Sequence, residues 1–304
     1  MAKLLIIGSV FPESNSSAAG GRMLQLIQLF LSDGWDITFA SASEKSDFED
    51  DLSVYGVQKI NIELNDSSFE KQLEVLRPEA VLFDRFYIEE QYGWKVAKIC
   101  PEAFRILDTE DLHCLRDARY EAVKLGIKFD VSQLYTDKAK REVASILRCD
   151  LSLMVSTYEI EVLEKQFNID SSILQYLPIW IESEEIDSRE SNASYEDRKN
   201  FMFIGNFRHQ PNWDALLYLK KHIWKKIRSE LPEVVLNVYG AYSSQKVIDL
   251  NDPKSGFLVH GRADDARACF QGAKICLAPL RFGAGIKGKL IQAMSTGTPS
   301  VTTV

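Results

Sequence analysis

From its first strand to its last, the chain alternates short apolar runs with stretches of helical apolar spacing. The alternation is broken once. Lys3-Leu-Leu-Ile-Ile7 is an apolar run of strand length, and Leu24 to Leu31 has helical spacing that Gly34 stops. The same reading predicts strands at Asp36 to Ala40, Ala80 to Phe83, Phe104 to Leu107, Leu151 to Val155 and Ile173 to Leu177. Helical patterns at Phe69 to Leu76, Ile88 to Ile99, Asp137 to Leu147 and Tyr158 to Phe167 separate them. Strands separated by helices of this length dictate a parallel sheet with helices on both faces. Glu182 to Lys199 breaks the pattern with seven acids, three bases and almost no large apolar residue. Such a stretch has little to bury and reads as an exposed linker. The alternation then restarts, with strands at Asn200 to Ile204, Val234 to Tyr239, Gly256 to Val259, Lys274 to Ala278 and Ser300 to Val304. Helical patterns lie at Trp213 to Ile227, at Asp264 to Phe270 and in the stretch that ends at Met294. The predicted architecture is α/β, two doubly wound units in tandem: residues 1–181, a linker at 182–199, and residues 200–304. Ligands of such units bind at the carboxyl ends of the strands.

Composition removes several function classes. A length of 304 residues suits about two domains, and 45% apolar with 26% charged residues is ordinary for a soluble protein. A net charge of −8 argues against broad nucleic-acid binding, which needs a basic footprint. No apolar run approaches the roughly 18 residues of a membrane helix. The run Leu4 to Ile7 is too short for a signal peptide. Five cysteines, with no C-x-x-C pair, read as reduced thiols rather than zinc ligands. These features predict a protein made and kept in the cytosol.

Chemistry concentrates at the strand ends of the second unit. After the strand at Lys274 comes Ala278-Pro-Leu-Arg-Phe-Gly-Ala-Gly-Ile-Lys-Gly-Lys289, and then a helix. Glycines and two lysines where a strand turns into a helix make a phosphate site, because free backbone N–H groups and ammonium groups converge there. Gly283, Gly285 and Gly288 fit G-x-G-x-x-G, but only 16 residues follow Gly288, too few for the dinucleotide fold. Gly283 to Lys289 fits G-x-x-x-x-G-K, but Leu290 stands where a hydroxyl would hold magnesium. The other strand ends carry Arg208 in a pre-helix loop, Gly240 after Tyr239, and His260-Gly261-Arg262. An arginine in that loop is well placed for a phosphate. His209 reads as a capping or packing residue, and Asp264-Asp265 as the start of a helix rather than a metal site. In the first unit, a small polar loop from Gly8 reaches Gly20-Gly21, and Asp108-Thr-Glu-Asp-Leu-His113 follows a strand. The loop either folds over a ligand or is plain surface. The acids and His113 suit acceptor binding or acid–base work, or else cap a helix.

Taken together, the segments from Phe203 to Asp214, Trp224, Pro232, Val238-Tyr-Gly240, Val259-His-Gly261 and Ala278 to Lys289 resemble the C-terminal half of glycosyltransferase family 4. Asp108 to Arg116 and Gly20-Gly21 resemble parts of the matching N-terminal half, so the similarity covers nearly the whole chain. The resemblance implies a GT-B fold, two Rossmann-like domains facing across a cleft, the first on the acceptor side and the second holding the donor. It implies retaining transfer of a sugar from a nucleotide-diphosphate donor to a glycan or lipid-linked acceptor, with no essential metal or other cofactor. In bacteria such enzymes build surface polysaccharides, and peripheral association with the inner face of the membrane stays open. By position, Arg208 with Lys287 or Lys289 would hold the diphosphate. The backbone of Gly283, Ala284, Gly285 and Ile286 would approach the donor, and Gly20 and Gly21 would close over the phosphates. Gly240, His260, Gly261 and Gln292 fall at the nucleotide, and His113 would touch the transferred sugar or the acceptor.

Two departures from the family pattern stand out. Ala284 and Gln292 occupy positions where the family usually carries glutamates, the second of which holds the ribose. A neutral Gln292 still accepts hydrogen bonds, and the loss of charge weakens binding by about 1–2 kcal/mol. The family's second domain also runs on beyond the strand at Ser300, which predicts a truncated or naturally shortened member. A nucleotide-sugar-binding or scaffold protein without turnover is the alternative reading. A GT-B sugar-nucleotide epimerase is a further one, with Asp108, Glu110 and His113 as its acid–base candidates.

Overall fold

The computed structural model describes residues 1–181 and 194–303. The expected linker at 182–199 therefore lies largely outside the described residues. By packing, the chain forms two compact units. The first comprises Met1–Ser14, Ala19–Ile179 and a short piece of the glycine segment, Ala284–Ile286; the second comprises Asn15–Ala18, Trp180–Gly283 and Lys287–Val304.

The first unit is a seven-stranded parallel sheet in the order β3-β2-β1-β4-β5-β6-β7. Its strands are β1 (Lys3–Gly8), β2 (Asp36–Ser41), β3 (Gln58–Asn61), β4 (Ala80–Asp84), β5 (Phe104–Asp108), β6 (Leu151–Met154) and β7 (Leu174–Tyr176). Helices α1 (Ala18–Ser32), α2 (Ser68–Leu76), α3 (Phe86–Ile99), α4 (His113–Leu125), α5 (Asp137–Arg148) and α6 (Thr157–Phe167) connect them. Central strands are buried on both faces: every residue of β4 is inside, and Leu5, Ile7, Val81, Phe83 and Leu107 pack with α2 to α6 in one core. That double burial explains their unbroken apolar reading. Two elements were not foreseen. Strand β3 is a sheet edge, polar and mostly exposed, so it carries no apolar signal. Helix α4 buries mainly small residues, Cys114, Ala118 and Ala122 beside Leu115, and gives a weak stripe.

The second unit is a five-stranded parallel sheet in the order β10-β9-β8-β11-β12. Its strands are β8 (Lys199–Ile204), β9 (Leu236–Tyr239), β10 (Phe257–Gly261), β11 (Ala273–Ala278) and β12 (Ser300–Thr302). The expected helix from Trp213 is α7 (Gln210–Tyr218), a π-helical turn (Leu219–Trp224) and α8 (Lys225–Glu230). The wide turn lets Leu219 and Trp224, five positions apart, both face the core, and the Trp224 indole N–H donates to the Ser255 carbonyl at 2.9 Å. Helices α9 (Gln245–Ile248), α10 (Ala266–Gly272) and α11 (Gly288–Ser295) complete the unit. Asp265 caps α10, accepting from the Ala268 N–H at 3.0 Å, the helix start that its sequence suggests. The buried Arg198 guanidinium donates to the carbonyls of Thr296 and Gly297 and to the Thr298 hydroxyl, which anchors the end of α11.

Candidate functional site

In the second unit the C-terminal ends of β8, β9 and β10 close onto one another through glycine. Gly240 donates to the Gly261 carbonyl at 2.7 Å, and Gly205 donates to the Tyr239 carbonyl at 3.2 Å. A methyl group on Gly240 would lie 2.1 Å from the Gly205 carbonyl oxygen and 2.4 Å from Phe207. Only a hydrogen fits, so packing at this loop by itself accounts for Gly240. His260 is turned to its own sheet, with Nε2 2.8 Å from Asn237 Oδ1 and its ring stacked on Tyr239. Gly261 has a left-handed φ of 78° and sits at a bulge in the β9–β10 pairing.

Three cations, Arg281, Lys287 and Lys289, lie on the segment that links β11 to α11 and on the first turn of α11. Lys289, in the first turn of α11, donates to Asn212 Oδ1 at 2.7 Å and lies 4.6 Å from the centre of the Phe203 ring. Burial, with some help from Lys287, pulls its ammonium down from 10.5 to about 8. Lys287 is the N-cap residue of α11, and its ammonium folds back over Gly283. A side chain on Gly283 would meet that nitrogen at 3.1 Å. Arg208 is exposed in the loop after β8, its guanidinium 3.6 Å from the centre of the Tyr242 ring. Arg281 pairs with Asp214 at 2.9 Å, which holds the approach to the glycine segment. Gln292 is exposed on α11, three positions beyond Lys289 and so on a neighbouring part of the helix surface.

The first unit brings charged groups to the ends of β4 and β5. Arg22 and Asp108 form a fully buried ion pair at 3.0 Å, and Arg22 also donates to the Leu177 carbonyl at 2.8 Å. Burial raises Asp108 above its ordinary value, and Arg22 opposes that rise. Arg85 occupies a strained conformation, φ 77° and ψ 155°, and donates to Ser9 Oγ at 2.9 Å and to Tyr87 Oη at 3.2 Å. Glu110, also at positive φ, has a buried Oε1 with no hydrogen-bond partner. Burial and then Asp108 hold its carboxyl well above the usual range.

His113 opens α4 between the Phe86 and Tyr87 rings, with Nε2 3.5 Å from Asp111 Oδ1. Burial first, and Arg116 second, push its pKa down to about 3. The imidazole is therefore neutral. It can hydrogen-bond a hydroxyl, but it is not an imidazolium acid. The helix N-terminus is not capped by its neighbouring acids. Glu142, from α5, accepts from the N–H groups of His113 and Cys114 at 2.8 and 2.9 Å, and Glu159, from α6, accepts from Leu112 N–H at 2.9 Å. Asp111 pairs instead with Arg116.

Gly20 and Gly21 lie inside the first turns of α1, not in an open loop. A methyl on Gly20 would strike the Glu13 backbone at 2.4 Å, whereas Gly21 has room. The glycine segment divides by packing. Ala284 joins the hydrophobic core of the first unit, and Gly285 donates to Glu159 at 2.8 Å; Gly283 and Lys287 pack with the second unit. Arg22, Arg85, Asn212, Tyr242, Glu142 and Glu159 were not singled out from the sequence. Each has at least one partner far along the chain, and no local spacing marks them. Among the described residues no group of three or more His, Cys, Asp or Glu could hold a metal ion. Among them, too, no helix is long and apolar enough to cross a membrane.

Two parallel α/β units with glycine-rich strand ends define the GT-B class of glycosyltransferase folds. The chain overlays a sucrose-phosphate synthase from Thermosynechococcus elongatus with a TM-score of 0.72 at 12% identity, covering 99% of this chain and 81% of that one. HepE of Anabaena, in complex with UDP-glucose, gives 0.68 at 9% identity, with 99% and 80% covered. WaaG, a glycosyltransferase involved in lipopolysaccharide biosynthesis, gives 0.62 at 13% identity, with 98% and 80% covered. None of the curated protein sequences matches the chain. Residues 198–304 match the family model for glycosyl transferases group 1.

Proposed function

We propose that the protein transfers a sugar, with retention of anomeric configuration, from a nucleotide-diphosphate donor to a glycan or lipid-linked acceptor in polysaccharide biosynthesis. The observation that carries this reading is the cation set of the second unit. Lys289 keeps a depressed ammonium beside Lys287 at the start of α11, and Arg208 stands exposed at the next strand end. A partly buried lysine without a bound anion is costly, and a diphosphate is the anion that two lysines, an arginine and helix N–H groups accommodate. In the reaction the bond between the sugar's anomeric carbon and the diphosphate oxygen breaks, and a bond to the acceptor hydroxyl oxygen forms. The diphosphate leaves with the electron pair, and its departing oxygen takes up the proton that the acceptor hydroxyl loses. Arg208, Lys287 and Lys289 stabilise that growing charge, the task a metal performs in other sites. Neutral His113 orients a sugar or acceptor hydroxyl. The reaction takes place in the cytosol, at the membrane face when the acceptor is lipid-linked.

HepE is seen with UDP and with UDP-glucose, so UDP is the first nucleotide to test. Thermal-shift binding of UDP, GDP and ADP, with and without EDTA, compares wild type with the Lys287→Ala, Lys289→Ala double variant. Stabilisation by one nucleotide, insensitive to EDTA and lost in the variant, supports the reading. A well-folded wild type that no nucleotide stabilises would overturn it. The reading as a donor-binding protein without turnover draws on neutral, exposed Gln292; release of UDP from UDP-sugar only when acceptor is added separates the two.

A further inference from the structure

We infer that Glu159 is a positioning residue: through one carboxylate oxygen it clamps the tip of the glycine segment to the turn that opens α4. The inference rests on the donor-site reading for its consequence, but not for its geometry. Glu159 lies in the first turn of α6 and is fully buried. Its Oε1 accepts from Leu112 N–H at 2.9 Å and from Gly285 N–H at 2.8 Å. The other oxygen, Oε2, is buried with no hydrogen-bond partner. Sequence neighbours do not explain this carboxylate, because α6 begins at Ser156 without a side-chain cap and Glu159 is spent on distant backbone.

The segment it holds is shaped to be held. Ala284 packs among apolar side chains of the first unit's core. Gly285 has φ +60°, and a methyl there would meet Asp111 Cβ at 2.9 Å and the Glu110 carbonyl at 3.1 Å. The tip therefore sits against the Glu110–Asp111 turn, and the position tolerates no side chain. Leu112 precedes His113, so one oxygen holds both Gly285 and the turn that carries the imidazole. An ionised acceptor makes each N–H bond roughly twice as strong as a neutral one. The groups facing Glu159 are both acids, Asp111 on the turn and Glu142 on α5. With burial as the largest cause they lift its pKa to about 7. The clamp is thus strongest above neutrality and relaxes as Glu159 takes up a proton.

Hydrogen exchange of the full chain, without nucleotide, tests the clamp directly. In Glu159→Ala the amides of Leu112 and Gly285 should exchange at least tenfold faster than in wild type, while those of β6 keep their rates. Unchanged rates at both amides would overturn the proposal. Should the alanine variant not fold, Glu159→Gln supplies the test. Once intrinsic exchange is corrected for, wild-type Gly285 should lose protection between pH 8 and pH 6, and the Gln variant should not. Identical pH responses would overturn it equally, since Glu142 titrates in both proteins. UDP binding then tests the consequence, with Kd expected to rise about tenfold in Glu159→Ala. An unchanged Kd beside faster exchange would overturn the positioning role. If wild type binds no nucleotide while exchange still distinguishes the variants, the clamp stands and the donor reading fails.

Discussion

Replacing Lys289 with methionine should make the empty protein more stable and the binding of UDP much weaker. The unfolded chain holds the Lys289 proton up to its ordinary value of 10.5, and the folded chain releases it at about 8. Between those values the unfolded state binds more protons, so stability rises with pH across that window. Below pH 8 the folded protein carries the whole penalty of a partly buried ammonium. At 1.36 kcal/mol per pH unit that penalty is about 3 kcal/mol. Methionine is of similar length and has no charge to desolvate, but it forfeits the hydrogen bond to Asn212 and the contact of the ammonium with Phe203. Those losses return about 1–2 kcal/mol, which leaves a net gain of about 1–2 kcal/mol. At about 2–4 °C per kcal/mol, Tm at pH 7 should rise by roughly 2–8 °C. UDP affinity should fall roughly 10–150-fold, the loss of a charge-assisted bond of about 1.5–3 kcal/mol. Wild-type affinity should also decline above pH 8, where the amine must be reprotonated on binding, and the variant should not show this decline. Differential scanning fluorimetry and titration calorimetry from pH 6 to pH 9.5 measure all three. A variant that melts below wild type at pH 7 would refute the burial argument, and unchanged UDP affinity would refute the assignment of the site.

Other perturbations have equally defined outcomes. Gly240→Ala places a methyl 2.1 Å from a carbonyl oxygen and should cost about 3 kcal/mol or more, read as a lower urea midpoint or loss of soluble protein. Arg22→Met leaves Asp108 buried and unpaired and should cost about 3–5 kcal/mol in urea unfolding; adding Asp108→Asn should recover a large part of it. Glu142, lifted by burial to about 7 from 4.5, gives the folded state extra bound protons between those values. Stability from this group is therefore fully present below pH 4.5 and lost as pH rises through 7, so Glu142→Gln should flatten the melting profile over that window.

The alternation of strands and helices was legible because central strands such as β4 are buried on both faces and read as pure apolar runs. Edge strand β3 and helix α4 were not, since one is exposed and polar and the other packs through small residues. The strand-to-helix junction that carries Lys287 and Lys289 was legible because glycines and lysines follow an apolar run there. What governs His113 could not. Its neutrality comes from burial between two aromatic rings, and its helix is capped by carboxylates from α5 and α6. The local reading of Asp111 as a helix-capping acid gave way to its ion pair with Arg116. Position 284 is also intelligible only in three dimensions: alanine packs there within an apolar core, where an ionised glutamate could not be desolvated.

The Arg22 guanidinium has a further consequence during synthesis. It donates both to Asp108 and to the Leu177 carbonyl, the latter 155 positions further along the chain. At about 5–20 residues per second, roughly 8–30 s separate the synthesis of the two ends of that contact. Until Leu177 emerges, the Nη1 of this arginine must be met by water or by another group. A translating ribosome therefore presents an incomplete first unit in which Arg22 has its ion pair with Asp108 but not its hydrogen bond to the Leu177 carbonyl, and a pause in translation prolongs that state.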